Sequence, residues 1–450
     1  MDSNSASSME GNSQPVVHEW SLHIPEYAER QELHEELNAV VYQLLAPPFE
    51  LSHLVLLSER GWVEQERQLI AELCARYGIN PPNAHDNDFS ANCGEFLLRW
   101  ERHTEYSTYT IYRMAPFEVP FEHAPITYVP QDWLARLPGE LLVGTHIALE
   151  DRSRPMRSLH ELSQLFSYGA VIGSKVAGGA ASVWSDHQIH QDNFGRILIH
   201  DDNLRSRQVG RLVQRLLEIE TYRMLAMLPV PITRQIIPQL ARADQRLAEL
   251  TAGHVAMTCI EDEQRLLDEL TRLAAETERL SALTSHRFNA SRAYYDIVKL
   301  RITELREERI EGLQMLQEFM IQRLSSAMGT CELVHTKLET LSTRLGRASA
   351  LLRTRVDLSM EAQIRDLLKS MDDRARVQLR LQETVEGLSV VVLSYYLLGI
   401  IGYGLKALKA AEYDINVELL TGIAIPFVLL VVFLLVRGAR KIIGKLHAEK

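Results

Sequence analysis

The hydrophobic pattern is most distinctive near the carboxyl end, where two stretches carry no charged residue. They cover residues 387–405 and 419–436. A helix that rises about 1.5 Å per residue needs about 20 residues to cross a hydrocarbon core about 30 Å thick. A helix of that length in a soluble protein normally keeps one polar face toward water. The pattern therefore predicts two transmembrane helices joined by a short external linker at 406–418.

Basic residues flank these two predicted spans on one side. They are concentrated in the tail at 437–450 and before the first span, between Lys369 and Arg380. Because Lys and Arg beside a span tend to stay in the cytoplasm, both termini are predicted to be cytoplasmic. We therefore expect a multi-pass protein of the cell inner membrane, in contact with the lipid bilayer. Residues 1–20 are polar and rich in Ser, which predicts a disordered tail.

Before residue 235 the pattern changes repeatedly between strand-like and helix-like. Short apolar or alternating runs predict strands at 49–58, 97–113, 140–150, 181–189 and 195–202. Helical spacing predicts one helix that ends at Gly78 and another over 208–228. This mixture predicts an α+β cytoplasmic domain with a mostly antiparallel sheet over residues 21–235.

From residue 239 to residue 425 the chain contains no proline, and Leu, Glu, Arg and Ala are frequent. Such a composition predicts long helices, because proline breaks a helix and these residues favour one. The predicted helices cover 240–283, 288–325 and 329–386. We expect residues 236–386 to form a helical coiled-coil stalk that enters the first span without a break.

Four apolar residues near the end of this stalk follow coiled-coil spacing. They are Met360, Ile364, Leu367 and Met371, which step by four, three and four residues. Such a seam packs against a neighbouring helix. Its need for a partner favours a homo-oligomer.

Charge and motifs exclude several classes of function. The formal net charge of −11 argues against nucleic acid as a partner, because phosphate binding needs clustered Lys and Arg. The four cysteines are far apart and form no C-x-x-C pair, as expected of thiols in a reducing compartment. The sequence patterns G-x-x-x-x-G-K-[ST], H-E-x-x-H and G-x-S-x-G are absent. The chain is therefore predicted not to be an enzyme.

The first predicted span carries a polar face. Its residues are Glu386, Ser389, Tyr396, Gly399 and Tyr403. A hydroxyl group that faces lipid in mid-membrane lacks a hydrogen-bond partner, so this face should meet another helix or water. Two hypotheses follow: a helix–helix contact sealed by hydroxyl groups and small residues, or a pore lined by this face.

Three acidic residues form a cluster on the predicted external linker: Glu412, Asp414 and Glu418. In an oligomer, carboxylates at a pore mouth would attract divalent cations such as Mg²⁺. The alternative is that they are solvated turn residues, which balance the charges of Lys406 and Lys409.

A carboxylate–histidine set is predicted in the α+β domain. Alternation along the strand at 97–113 puts Glu101, His103 and Glu105 on one face, and such a set can bind a metal or transfer protons. The same residues also fit a solvent-facing strand or an ionic network. The segment 186–190 is a less favourable metal site, because its two histidines would lie on opposite faces of a strand.

Five segments resemble the markers of a bacterial membrane-protein family of unknown function. They are WERHTEYSTYT (100–110), GRLVQRLLEIETYRMLAMLP (210–229), RFNASRAYYDIV (287–298), LLRTRVDL (351–358) and QLRLQETVEGLSVVVLSYY (378–396). That family tends to have E-[LV]-H-A-R-P near its amino terminus, where this chain has Glu36-Leu37-Asn38-Ala39. The resemblance implies the architecture and supplies no chemistry.

The plan of the chain is also similar to that of the CorA-type magnesium channels. Both have an α/β cytoplasmic domain, a long helix into the first span, a short external linker, a second span and a basic tail. The resemblance implies a homo-oligomer whose first spans line a pore. Where those channels have Gly-Met-Asn at the outer end of the first span, this chain has Gly402-Tyr403-Gly404.

Two functions remain open from the sequence. One is a CorA-like oligomeric divalent cation channel or transporter, whose cytoplasmic domain senses the ion. The other is a membrane-anchored oligomeric scaffold that binds a cytoplasmic protein partner and transports nothing. The polar first span and the overall plan favour the channel, whereas the missing Gly-Met-Asn favours the scaffold.

Overall fold

A computed structural model of the chain describes residues 44–448, except 59, 85, 254–259 and 411–415, together with residues 27, 29, 30 and 34. The chain divides into two compact units. The first contains Met1–Arg242 and Thr277–Thr340, and the second contains Ala243–Glu276 and Leu341–Lys450. Residues 277–340, which the sequence analysis placed in the stalk, thus group with the α/β unit.

In the described part of the first unit, nine strands form one sheet. They are β1 (Phe49–Leu57), β2 (Asp88–Asn92), β3 (Leu97–Arg102), β4 (Tyr106–Arg113), β5 (Glu140–Glu150), β6 (Ile172–Val176), β7 (Ala181–Ser185), β8 (Gly195–Asp201) and β9 (Glu308–Arg309). Their order in the sheet is β2-β3-β4-β1-β5-β8-β7-β6-β9. Of the described pairs, β5–β8 is parallel and the others are antiparallel, so the sheet is mostly antiparallel as predicted.

The described helices range from one turn to very long. They are α1 (Val63–Tyr77), α2 (Gln131–Leu134), α3 (Leu159–Leu165), α4 (Ser206–Met227), α5 (Pro229–Gly253), α6 (Ile260–Leu305), α7 (Leu316–Ala410) and α8 (Val417–Ala448). Short 3₁₀ turns at Arg60–Trp62 and Pro125–Tyr128 precede α1 and α2.

Helices of the first unit cover both faces of its sheet. One face packs against α4, the end of α6 and the start of α7, and the opposite face packs against α1, α2 and α3. The central strand β1 therefore has apolar residues on both sides: Leu51 lies in the first of these cores and Leu54 in the second. Burying each such leucine contributes about 1.5–3 kcal/mol to folding.

The amino-terminal elements agree partly with the predictions. Helix α1 ends at Gly78, whose φ of 67° lies in the left-handed region that glycine adopts readily. The predicted strand at 97–113 is instead a hairpin of β3 and β4. The chain reverses after Arg102, and the backbone N–H of His103 donates to the carbonyl oxygen of Tyr106 at 2.8 Å. Glu105 therefore does not continue the alternation of β3.

The long helices also break at a different place than predicted. Helices α6 and α7 run through 284–287 and 326–328, and the chain breaks at 306–315, where β9 pairs with β6. Val298, Ile302 and Met320 are buried in the core on the sheet. Because these residues cover the sheet, this part of the helices belongs to the α/β unit.

Within the described residues the second unit is entirely helical. Ion pairs join α7 to α5 and to α6: Arg344 contacts Asp244 at 2.5 Å, and Arg355 contacts Glu263 at 2.6 Å. Helix α7 then continues to Ala410 without a break, as predicted. The predicted coiled-coil seam at 360–371 is exposed in the single chain.

Candidate functional site

A polar cavity of about 170 Å³ lies between the sheet and α4 in the first unit. Strands β1, β3 and β4 and the turn after β3 form one wall, and α4 forms the other. The lining residues are His53, Glu101, His103, Tyr106, Thr108, Thr110, Tyr112, Gln214, Leu217, Glu218, Thr221 and Tyr222. Ten of these twelve lie in two of the segments that carry the family resemblance, 100–110 and 210–229. The other two are Tyr112, two residues after the first of these segments, and His53 on β1.

Strand β4 explains why this wall is polar. Alternation along the strand puts Tyr106, Thr108, Thr110 and Tyr112 on the face toward α4, whereas the residues between them face the opposite side. Tyr109 and Ile111, which alternate with them, are buried in the core against α1. The same strand thus builds an apolar core on one face and a hydroxyl-lined cavity on the other.

His53 joins the two walls of the cavity. Its Nδ1 lies 2.8 Å from Thr110 Oγ1, and its Nε2 lies 3.4 Å from Thr221 Oγ1. Burial lowers the pKa of His53 to about 3, so the ring is neutral at physiological pH. A neutral imidazole has one donor and one acceptor, and two threonine hydroxyls can complement both.

Two carboxylates lie on the cavity wall. Glu101 accepts a hydrogen bond from Arg99 at 2.7 Å. Glu218 accepts one from Gln214 at 3.0 Å and a second from Arg301. Burial raises the pKa of Glu101 despite the neighbouring Arg99, and the charge of Glu218 adds to that rise.

The hydroxyl groups of the cavity differ in their hydrogen bonding. The hydroxyls of Tyr106 and Tyr222 are hydrogen-bonded to each other, and burial raises the pKa of both, so both remain protonated. Thr108 is 4 % exposed, and its Oγ1 is buried without a hydrogen-bond partner among the described residues. An orphaned buried hydroxyl costs about 1–3 kcal/mol, so water or a ligand in the cavity would stabilise it.

The structure brings two of the three predicted carboxylate–histidine residues to this cavity. Glu101 and His103 line it, and the His103 ring stacks on Tyr106 with 4.3 Å between centroids. Glu105 lies in the hairpin turn and binds Arg287 at 2.7 Å. In the described part of the chain, no group of three or more His, Cys, Asp or Glu side chains has a geometry that could hold a metal ion.

The segment 186–190 forms two separate carboxylate–histidine pairs. His187 Nδ1 lies 3.2 Å from Glu220 Oε1, and His190 Nε2 lies 3.1 Å from Asp186 Oδ2. Arg223 also binds Glu220, at 2.6 Å. Burial alone would raise the pKa of Glu220, but Arg223 and His187 together lower it well below its ordinary value.

Sequence reasoning missed His53 and the polar residues of α4. His53 stands in the apolar run FELSHLVLL, where a single polar residue was a weak signal. Gln214, Glu218 and Thr221 step by four and three residues along α4, and together with Leu217 they form one helix face. That polar spacing on a helix with many buried positions was the signal that could have indicated the second wall.

The two predicted spans are helical, and they are long and apolar enough to cross a membrane. Only 6 % and 11 % of the residues in their most apolar windows are buried in the single chain. The core helix of a soluble protein would be mostly buried. These apolar surfaces therefore need a nonaqueous environment, or partner helices, to cover them.

The predicted polar face of the first span is exposed in the single chain. Ser389, Tyr396, Gly399 and Tyr403 are all exposed, and the Ser389 hydroxyl donates to the carbonyl oxygen of Val385 at 2.9 Å. Glu386 lies in the same helix, and its side chain is outside the described part of the structure. Both the contact hypothesis and the pore hypothesis require such an exposed face.

The predicted acids of the linker are only partly described. Glu412 and Asp414 lie outside the described residues. Glu418 is exposed in the first turn of α8, where a carboxylate interacts favourably with the helix dipole. This position is compatible with a pore mouth and with a solvated helix start.

The chain combines a mixed α/β unit with two later helices that are long and apolar enough to cross a membrane. This is the architecture of a candidate membrane protein. The family model described as "Protein of unknown function (DUF3422)" matches residues 25–443, and the chain belongs to that family. This confirms the family likeness found in the sequence. No curated protein matches the chain.

Proposed function

We propose that this chain is an integral membrane protein that assembles into a homo-oligomeric, CorA-like divalent cation channel or transporter. The observation that carries the proposal is the course of α7. This one helix begins in the α/β unit at Leu316 and continues to Ala410, through the whole first apolar segment. The chain therefore passes from the α/β unit to the first apolar segment within one helix, which is the order of elements in the CorA-type plan.

Exposure of the apolar segments supports membrane insertion. Leu388, Val391 and Ile400 in the first span are each at least 60 % exposed in the single chain. The second span exposes Phe427 and Leu435 to a similar degree. Transfer of such side chains from water to lipid is favourable by about 25 cal/mol per Å². In such a membrane protein, the Lys and Arg residues beside the spans predict that both termini are cytoplasmic.

Two unpartnered surfaces support a homo-oligomer. The seam residues Met360, Ile364, Leu367 and Met371 are 47–63 % exposed, and they follow coiled-coil spacing. Further along the same helix, the hydroxyls of Tyr396 and Tyr403 are exposed within an apolar segment. In lipid these hydroxyls require partners, which a second copy or a water-filled path supplies.

Divalent cations such as Mg²⁺ are the proposed substrate. The acidic residues Glu412, Asp414 and Glu418 would surround the outer mouth of a pore in an oligomer, and a ring of carboxylates attracts cations. Oxygen ligands are also the ones that Mg²⁺ prefers.

A membrane-anchored scaffold is the second candidate. The observation that favours it is Gly402-Tyr403-Gly404, which stands where the CorA-type channels have Gly-Met-Asn. In this alternative the hairpin serves as anchor and oligomeriser, and the α/β unit binds a cytoplasmic protein.

A flux assay separates the two candidates. The full-length protein is reconstituted in liposomes that contain a Mg²⁺-sensitive dye, and Mg²⁺ entry is compared with that of protein-free liposomes. We expect entry with the wild type and a strong reduction with Tyr396→Leu or Tyr403→Leu. Tyr395→Leu is the matched control, because its ring is one residue away on a different face of the helix. An oligomeric wild type without Mg²⁺ entry would reject the channel and leave the scaffold.

The same variants test the oligomer itself. We expect Tyr396→Leu to weaken assembly in detergent, as measured by light scattering coupled to size-exclusion chromatography. An unchanged oligomer would contradict a role of this tyrosine in the contact between copies.

A further inference from the structure

The cavity between β4 and α4 uses polar residues where the core of a soluble domain normally has apolar ones. Four side chains with hydroxyl groups on β4 face Leu217 of α4 and its polar neighbours. Apolar residues at these positions would fill the space and add burial free energy. A folded domain that keeps a polar cavity at these positions instead gives up stability, and this is typical of a binding site.

The Thr108 hydroxyl has no hydrogen-bond partner among the described residues, and a carboxylate lies beside it. Thr108 and Glu101 are directly opposite each other in the pairing of β3 with β4. Such cross-strand neighbours have Cβ atoms about 4.5–5.5 Å apart. The hydrogen bond from Arg99 reaches Oε1 of Glu101. The other carboxylate oxygen and the Thr108 hydroxyl can therefore bind the two ends of one small molecule.

The charged residues around the cavity indicate whether the ligand is a cation or an anion. Its described lining includes two carboxylates, Glu101 and Glu218, and no Lys or Arg. Burial lowers the pKa of both lining histidines, His53 and His103, and thereby favours their neutral forms. The compensating guanidinium groups of Arg99 and Arg301 bind these carboxylates from outside the lining. An anion would meet carboxylates in this cavity, whereas a cation would be attracted.

The volume of the cavity and its aromatic lining restrict the chemical class of the ligand further. A volume of about 170 Å³ is large enough for a few water-sized groups, and therefore for a small molecule. The rings of Tyr106, Tyr112 and Tyr222 line the space, and aromatic rings attract organic cations. A directly coordinated metal fits less well, because no set of three ligating side chains occurs in the described residues.

We infer that this cavity binds a small organic ammonium ion, whose nitrogen donates to Glu101 and whose second polar group bonds the Thr108 hydroxyl. This site is separate from the polar face of the first span. The inference therefore stands whether or not the protein conducts ions.

Three ligands of similar size and different charge test the inference. They are ethanolamine, ethylene glycol and glycolate. Each is titrated into the purified full-length protein in detergent by isothermal titration calorimetry, in the same buffer at about pH 7.5 and at the same ionic strength. A charge-assisted hydrogen bond is stronger than a neutral one by about 1.4 kcal/mol, which is about tenfold in affinity. We expect ethanolamine to bind at least about tenfold more tightly than ethylene glycol, and glycolate not to bind.

Two isosteric variants test the assigned residues. Glu101→Gln should weaken ethanolamine binding by about tenfold or more, and Thr108→Val by about threefold to tenfold. Thr145→Val is the matched control. Thr145 is also buried with an unpartnered Oγ1 and lies beside His53 on the sheet, but it does not line the cavity. We expect this control to change the affinity by less than about twofold.

Several outcomes would overturn the inference. They are equal binding of ethanolamine and ethylene glycol, tighter binding of glycolate, or an unchanged ethanolamine affinity in Glu101→Gln. The absence of any binding heat and of any ethanolamine-induced rise in the melting temperature would show that the cavity holds water alone. Should Thr108→Val fail to fold, as judged by circular dichroism, the comparison of ligands and Glu101→Gln still decide the question.

Discussion

In soluble proteins apolar side chains are mostly buried and polar side chains mostly exposed. Strand β4 departs from this rule by burying polar side chains, and the first apolar segment of α7 departs from it by exposing apolar ones. On β4, Thr108 and Thr110 are almost completely buried, whereas on α7 the ring of Tyr395 is 76 % exposed. Polar groups inside require a partner within the protein, and apolar groups outside require one beyond the single chain. On β4, Thr110 has such a partner in His53, whereas the Thr108 hydroxyl has none among the described residues. Water or a ligand would satisfy Thr108, and a membrane or a further copy would cover the exposed apolar segment.

The largest expected effect concerns the exposed apolar surface. A chain that lacks residues 387–436 should move from the membrane pellet to the supernatant after ultracentrifugation without detergent, because both helices that are apolar enough to cross a membrane are gone. A chain that lacks only 437–450 is the control and should stay in the pellet. If the full-length chain is found in the supernatant, the membrane half of the comparison is refuted.

The next prediction concerns buried polar groups in the α/β unit, where Glu220 lies between Arg223 and His187. Glu220→Gln should reduce the free energy of unfolding of the α/β unit by about 3 kcal/mol, since it removes the charge between Arg223 and His187. The Glu220 side chain is 5 % exposed. Unfolding in urea, followed by tryptophan fluorescence, reports on this unit, because Trp62, Trp100, Trp133 and Trp184 all lie in it.

The control for this variant is another acid–base pair three residues apart on a helix of the same unit. Asp296 binds Lys299 at 2.7 Å, and its side chain is 59 % exposed. Asp296→Asn should change the free energy of unfolding by less than about 0.5 kcal/mol. Equal effects of the two variants would mean that burial does not determine the contribution of such pairs here.

A smaller effect is expected from the buried histidine of the cavity. Burial lowers the pKa of His53 from 6.5 to about 3 in the folded state. As the pH falls below 6.5, the unfolded chain takes up a proton that the folded chain does not, so stability decreases. Between pH 6.5 and pH 5 this single group should lower the free energy of unfolding by roughly 1.6 kcal/mol.

The measurement compares urea unfolding of the wild type and of His53→Gln at these two pH values. His146, whose pKa burial lowers to about 4, contributes a similar loss in both proteins. The difference between the two slopes therefore isolates His53. Parallel slopes would show that His53 is not held neutral by the fold.

Local signals in the sequence predicted many elements of this fold. The apolar run before a turn predicted β5 at 140–150, and Gly78 marked the end of α1 because it adopts the left-handed conformation there. The uncharged stretches predicted both apolar helices, and the absence of Pro predicted that the helix starting at 329 continues into the first of them, although α7 in fact begins earlier, at Leu316. Each of these features depends on residues that are close together in the chain.

The remaining features depend on contacts between distant residues. The turn at 103–105 contains neither Gly nor Pro, and the polar pattern continues across it, so one strand was predicted instead of two. The cavity needs His53, β4 and α4 together, and nothing in the local pattern of His53 indicates Thr110 or Thr221 as its partners. The placement of 277–340 in the α/β unit likewise follows from burial against the sheet.

Strand β9 has a consequence for the synthesis of this protein. It pairs with the outer edge of β6 through Ser174 and Lys175, although it follows β6 in the chain by about 130 residues. At about 5–20 residues per second, a ribosome adds that length in roughly 7–26 s. During this interval the edge of β6 offers unpaired backbone groups to any neighbouring nascent chain. Chaperone cover of that edge, until Glu308 and Arg309 emerge, would protect the newly made sheet from edge-to-edge aggregation.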